Sequence, residues 1–270
     1  MGNIDSSKEY AIEICLRSYD YAGILRILQD SRITGGPLVD FLRVCNYSLN
    51  FNFNMSLANL DKMGVTLKNQ KYFKSLRKNV IDLIDGEPEA IFSEFLENIR
   101  IELYNEEYID FIGRMYRLKE ATLKYLFVKF ESGKGEISMF GYMMSKKNIL
   151  NILRKKYKIY TNNLSFALMQ YISMQRDSKG KRMKSALQIL NSEKMENLMK
   201  LRHDSPVGHG FNGVSREAIE FVYGKTEKIL EDFLFVMECL DLEIRHNKYD
   251  MANDILRELM EPYKIKREMD

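Results

Sequence analysis

Proline, cysteine and histidine are scarce in this chain: it holds four, three and three of them among 270 residues. The prolines are Pro37, Pro88, Pro206 and Pro262, so no proline occurs between residues 89 and 205. That stretch is rich in Leu, Lys, Glu, Met and Ile, and without the strongest interior breaker it favours long helices. Cys15, Cys45 and Cys239 are odd in number, far apart and near no histidine cluster. They read as reduced core residues of a cytosolic protein, and a disulfide framework or zinc site is not expected. There is no H-E-x-x-H, no phosphate-binding glycine loop and no dinucleotide fingerprint, and no cofactor is expected. No apolar run approaches a bilayer span, so no membrane partner is expected. The net charge is only +3, which excludes a global polycation and leaves nucleic-acid contact to local patches.

What is present reads as helix. Tyr108, Phe111, Ile112, Met115, Leu118 and Leu126 fall on one apolar face. Ile149, Leu150, Ile152 and Leu153 form a similar stripe in a basic segment. Ser215 is placed to cap a helix running through Ile219, Val222, Ile229, Phe233 and Val236. No period-two alternation is sustained anywhere, so the fold class is all-α. Gly35-Gly36-Pro37 and Gly86-Glu87-Pro88 read as breaks, with Pro88 opening a helix. Gly133-Lys134-Gly135 reads as a separator of two long helices, and Asp177-Ser178-Lys179-Gly180-Lys181 as the most polar loop. The expected organisation is a small helical domain over 1–90 and a larger helical bundle over 91–270.

The most informative stretch is Arg202-His203-Asp204-Ser205-Pro206-Val207-Gly208-His209, which holds two of the three histidines. Arginine supplies a permanent cation that forks onto phosphate oxygens. Histidine takes or gives a proton near neutral pH. The helix from Ser192 carries Met195, Leu198, Met199 and Leu201 on its apolar side, and Pro206 should stop it close to His203. Gly208, Gly210 and Gly213 permit a tight loop that holds His209 close to the arginine.

These residues carry a resemblance. Arg202 through His209 resembles the R-x(4–6)-H signature of HEPN ribonucleases, with His203 where Asn or Asp is usual. Tyr108 through Glu120 resembles the first HEPN-domain helix of the type III CRISPR ancillary ribonucleases (the CARF–HEPN family). Tyr19-Asp20-Tyr21-Ala22-Gly23-Ile24-Leu25 resembles the helical segment that precedes it there. The resemblance implies a helical linker-type domain over 1–90 and a HEPN ribonuclease domain over 91–270. It implies a metal-independent endoribonuclease of single-stranded RNA, active as a homodimer in CRISPR-linked antiviral defence in the cytoplasm. Arg202 and His209 would be catalytic and His203 supporting. One departure is large: the cyclic oligoadenylate sensor that such proteins carry has no βαβ counterpart in this chain, so binding of that ligand through such a domain is not expected.

Blander readings stand beside these. Arg176, Lys179, Lys181, Arg182 and Lys184 make either a solvated loop or RNA-backbone contacts. Lys146, Lys147, Arg154, Lys155, Lys156 and Lys158, interleaved with Tyr157 and Tyr160, make either an ordinary helix surface or phosphate and stacking contacts. Arg245-His246 reads as a solvated helix end. Asp110, Arg114, Arg117 and Glu120 read as structural ion pairs. The alternatives to the leading function are a HEPN toxin of another defence or toxin–antitoxin system, and a non-catalytic helical interaction module.

Overall fold

The computed structural model describes residues 3–64, 70–132, 136–175 and 178–265. The Gly133-Lys134-Gly135 separator, Arg176, Asp177 and the side chains of Ser178 and Lys179 lie outside the described residues. Among the described residues the chain is all-α, with fourteen α-helices, two short 3₁₀ turns and one isolated bridge between Ile4 and Lys264. No described helix is long and apolar enough to cross a membrane. Two compact units emerge, residues 1–85 with 246–270, and residues 86–245.

The first unit holds α1 (Ser6–Arg17), α2 (Tyr21–Asp30), α3 (Pro37–Leu49), α4 (Phe53–Leu60), α5 (Lys71–Asp85) and α14 (Lys248–Met260). Gly36 takes φ +96° and Pro37 opens α3, as the Gly-Gly-Pro break predicts. Asp20 accepts from the Gly23 N–H and so starts α2 inside the Tyr19–Leu25 stretch. The C-terminal helix belongs to this unit, whereas the sequence reading placed residues 246–270 with the second. Side chains far apart in sequence pull it there. Tyr21 donates to Asn253 Oδ1 at 3.0 Å, Asn253 Nδ2 donates to the Leu16 carbonyl at 2.8 Å, and Arg257 grips Glu13 at 2.9 and 3.1 Å. No composition break at residue 245 announces the return.

The second unit comprises α6 (Pro88–Tyr104), α7 (Tyr108–Ser132), α8 (Lys146–Tyr157), α9 (Leu164–Ser173), α10 (Ser178–Leu190), α11 (Glu193–Asp204), α12 (Arg216–Tyr223) and α13 (Thr226–Cys239). Gly86 at φ +73° and Pro88 open α6, with Glu87 accepting from the Ala90 N–H. The unit thus begins at Gly86, a few residues before the expected boundary. α7 packs against α6, α8, α9, α10 and α11. Phe111, Ile112, Met115, Leu118 and Leu126 are fully buried, the stripe the periodicity predicts.

Three expectations are corrected. Residues 178–181 open α10 and do not form a polar loop. Ser215 does cap a helix, but that helix ends at Tyr223, because Gly224 at φ +96° turns the chain before α13. Arg245-His246 sits in the non-helical segment before α14, not at a helix end, and the Arg245 N–H donates to Ser93 Oγ.

One polar hub lies inside this unit. Glu131, near the end of α7, accepts from Lys156, from the Tyr157 hydroxyl at 2.7 Å and from the Tyr171 hydroxyl at 3.0 Å. Burial alone would raise its pKa; the hydrogen bonds from Lys156, Tyr157 and Tyr171 outweigh burial and hold the carboxyl below its ordinary value. A depressed carboxyl stabilises the fold above its unfolded pKa and loses that contribution as pH falls through the folded one. Glu131→Gln should therefore cost about 2 kcal/mol near neutral pH. The gap from wild type should close as the medium is acidified below pH 4.5, the carboxyl's ordinary value. Urea titrations of both proteins across that range test this, and a gap independent of pH would refute it.

Candidate functional site: the helix end at Arg202 and the returning His209 loop

α11 is built to stop where the motif begins. Ser192 caps its start by accepting from the Met195 N–H, and Glu193 and Glu196 lie in the first turn while Arg202 and His203 occupy the last. That charge order suits the helix dipole. Met195 and Leu198 are fully buried, with Met199 and Leu201 half-buried beside them. The helix ends at Asp204, and Ser205, before Pro206, is extended at φ −98°, ψ 169°. The sequence-predicted stop is therefore where the structure places it, one residue beyond His203.

The chain then doubles back over its own helix end. Ser205 is fully buried, and its hydroxyl donates to the Arg202 carbonyl at 2.8 Å. The His209 N–H donates to the His203 carbonyl at 2.9 Å, and the Asn212 N–H to the Asp204 carbonyl at 2.9 Å. Carbonyls that a helix end leaves without intrahelical partners are thus taken by the returning loop. So close an approach leaves no room for side chains. A methyl group at Gly208 would lie 2.3 Å from the Arg202 carbonyl oxygen, and one at Gly210 would lie 2.1 Å from that of Asp204. Val207 leans on α7 at Gly113, whose own methyl position is 3.6 Å from a Val207 methyl.

This fold-back brings two of the sequence-predicted residues, His203 and His209, together at the helix end that carries Arg202. The His203 and His209 rings stand edge to face with centroids 5.3 Å apart, and both residues are exposed. The Arg202 guanidinium carbon lies 4.4 Å from the centre of the Tyr116 ring. Its Nε–H is buried and meets no hydrogen-bond partner. The arginine is therefore seated on an aromatic face. Tyr116 went unnoticed in the sequence; it flanks the core stripe next to Met115, and nothing local in the sequence couples it to Arg202.

The basic candidates fare differently. Arg182 is committed to Asp241 and to the Glu238 carbonyl, each at 2.5 Å, so it anchors α10 to the end of α13. Lys181 and Lys184 are exposed on α10, while Arg176 and the Lys179 side chain lie outside the described residues. Within the second basic run, Lys156 and Tyr157 belong to the Glu131 hub, and Tyr157 packs on Tyr171 with centroids 4.6 Å apart. Tyr160 is 72% exposed and is the aromatic of that run open to a partner. Arg114 pairs with Glu102 at 2.9 Å and Asn98 at 2.8 Å, while Arg117 pairs with Glu120. These are structural ion pairs. Among the described residues no group of three His, Cys, Asp or Glu side chains is disposed to hold a metal ion.

No protein-family model matches this chain, and no curated protein matches it.

The fold-back makes its own prediction. Gly208→Ala and Gly210→Ala should each destabilise the second unit by about 1–3 kcal/mol, the usual range for overpacking. Gly213→Ala, which meets open space, should stay within about 0.5 kcal/mol. Thermal melts of the three variants compare them directly, and equal midpoints for Gly208→Ala and Gly213→Ala would show that the loop yields freely.

Proposed function

We propose that this chain is a metal-independent endoribonuclease of single-stranded RNA that acts as a homodimer, of the kind used in CRISPR-linked antiviral defence. The observation that carries the reading is the fold-back itself: it sets a permanent cation, Arg202, and two imidazoles, His203 and His209, at one helix end. The reaction needs those groups. The ribose 2′-hydroxyl loses its proton to a base and attacks the adjacent phosphorus; the bond to the 5′-oxygen breaks, and that oxygen takes a proton. The ends are a 2′,3′-cyclic phosphate and a 5′-hydroxyl. His209 handles a proton. Arg202 stabilises charge on the phosphoryl oxygens, and the ring beneath it holds it in place for that task. His203 supports His209 through the ring contact and the backbone bond.

The homodimer is supported by apolar side chains that follow the motif. Phe211 is 94% exposed and Phe221 is 92% exposed. Large aromatics so open to water mark an interaction surface. A two-fold axis there would repeat the same patch on both copies and bring the two motif loops towards each other.

The test uses purified protein, labelled single-stranded RNA and EDTA. Cleavage should persist and leave the two ends named above, and a 2′-deoxy substitution at the cut nucleotide should block it. Arg202→Ala and His209→Ala should each reduce cleavage at least about a hundredfold while the melting midpoint holds. His246→Ala should be nearly silent. Light scattering should give twice 31.8 kDa, and Phe211→Ser with Phe221→Ser should return the monomer mass. Full activity in His209→Ala would end the ribonuclease reading.

A further inference from the structure

A groove of about 520 Å³ opens beside the motif, walled by α7 and α11. Its α7 wall is Tyr116, Lys119, Glu120 and Leu123, the i, i+3, i+4, i+7 positions that share one helix face. Its α11 wall is Glu196 and Met199, and the same stripe continues one turn later into Arg202 and His203. Tyr116 belongs to both places, since it lines the groove and carries the Arg202 guanidinium. The groove therefore runs into the candidate catalytic cation.

Its chemistry is of two kinds. Tyr116, Leu123 and Met199 offer flat or apolar contact. Lys146, Asn162 and Ser165, from the start of α8, the approach to α9 and the first turn of α9, offer a cation and neutral hydrogen-bonding groups. On the wall between them Lys119 donates to Glu196 at 2.5 Å, the lysine side chain 9% exposed and the carboxylate 53% exposed. That pair sets a donor and an acceptor side by side and cancels its own charge. Lys146 is exposed at the rim. A volume of this size holds a small molecule of one ring system with its attached groups. A single nucleotide matches it: a base to lie against the apolar wall and present its edge to Lys119 and Glu196, and a phosphate for Lys146.

We infer that this groove is the subsite for one nucleotide of the single strand next to the cut linkage, and that it sets the nucleotide preference of cleavage. The inference rests on the ribonuclease reading for its substrate, yet it is tested by binding, which does not depend on cleavage. Its walls come from four separate segments, so no local pattern in the chain marks the site as a whole.

The probe is a fluorescent single strand of about ten nucleotides with 2′-O-methyl at every ribose, which cannot be cut by 2′-hydroxyl attack. Fluorescence anisotropy measures its affinity for the full chain, for Lys146→Ala and for Ser165→Trp, which fills the groove. Circular dichroism confirms that each variant is folded. Both variants should weaken binding by about tenfold, and an abasic strand with the same number of phosphates should bind wild type weakly and no differently from Ser165→Trp. On cleavable RNA of random sequence, Ser165→Trp should flatten the preference at one position beside the cut. Unchanged affinity and preference in Ser165→Trp would overturn the groove and leave the ribonuclease standing. Tight binding without cleavage, weakened by both variants, would keep the groove and remove the ribonuclease. Equal affinity for the abasic strand would reduce the groove to a polyanion contact, and no binding by wild type would remove both proposals.

Discussion

Burial of the middle of α7, from Thr122 to Val128, is the constraint on which the second unit depends. From Thr122 to Val128 every position except Lys124 is buried. A helix can be enclosed in this way only if it is apolar nearly all round and its remaining polar groups are partnered. Both conditions hold. Thr122 turns its hydroxyl to the Leu118 carbonyl at 2.7 Å, Lys124 pairs with Glu120 at 2.7 Å, and Lys119 pairs with Glu196. Lys129 reaches the Leu240 carbonyl and Asp241. Five helices pack on this one rod, so where each sits is decided by which turn of α7 it meets. α11 meets the turns that carry Gly113, Tyr116 and Lys119, and that meeting places the motif.

A second constraint acts within the motif. A helix end leaves carbonyls that must find donors, and Pro206 prevents the chain from supplying them by continuing the helix. The chain supplies them by turning back, which only two residues without a Cβ allow at so short a range. The position of His209 follows from this backbone accounting. Its N–H is one of the donors, and its ring then falls beside that of His203. A loop fixed by backbone bonds on its own helix holds a side chain in place better than one resting on side-chain contacts alone, because fewer rotatable bonds separate the functional group from the rigid element.

Much of this was legible in the sequence wherever the cause was local. Pro37 and Pro88 open helices, Asp20, Ser192 and Ser215 cap them, Pro206 stops one, and the Tyr108–Leu126 stripe is core. The return of His209 onto its own helix end was legible too, since proline and glycines at that spacing leave the chain little else to do. What failed depended on distant residues. The return of α14 to the first unit is written in Tyr21, Leu16 and Glu13, more than two hundred residues away in sequence. Arg182 reads as a free cation until Asp241 is brought to it. Tyr157 reads as a stacking face until Glu131 and Tyr171 enclose it. The polar run at 178–181 looked like a loop because glycine and charge suggest one, yet Met183, Ala186, Leu187 and Leu190 further along draw the helix into the core.

The way Arg202 is held bears on how a chain of such small net charge could act on RNA. Most arginines of the second unit spend their charge on carboxylates, as Arg114 does on Glu102 and Arg216 on Glu220 and Glu227. A guanidinium paired in that way presents little field to an incoming phosphate. One stacked on a tyrosine keeps its full positive charge, because the ring attracts it through a quadrupole that falls off steeply with distance. Arg202 is of the second kind. The neighbouring Lys119–Glu196 pair is neutral as a unit, so it adds hydrogen-bonding groups without masking that cation. Under the ribonuclease reading, attraction for the strand is then concentrated at the phosphate to be cut. A uniformly basic surface would pull the whole strand in and spread binding energy over linkages that do not react, whereas one ring-seated cation, on the helix end that also carries two exposed imidazoles, favours the single phosphate where negative charge grows during the attack.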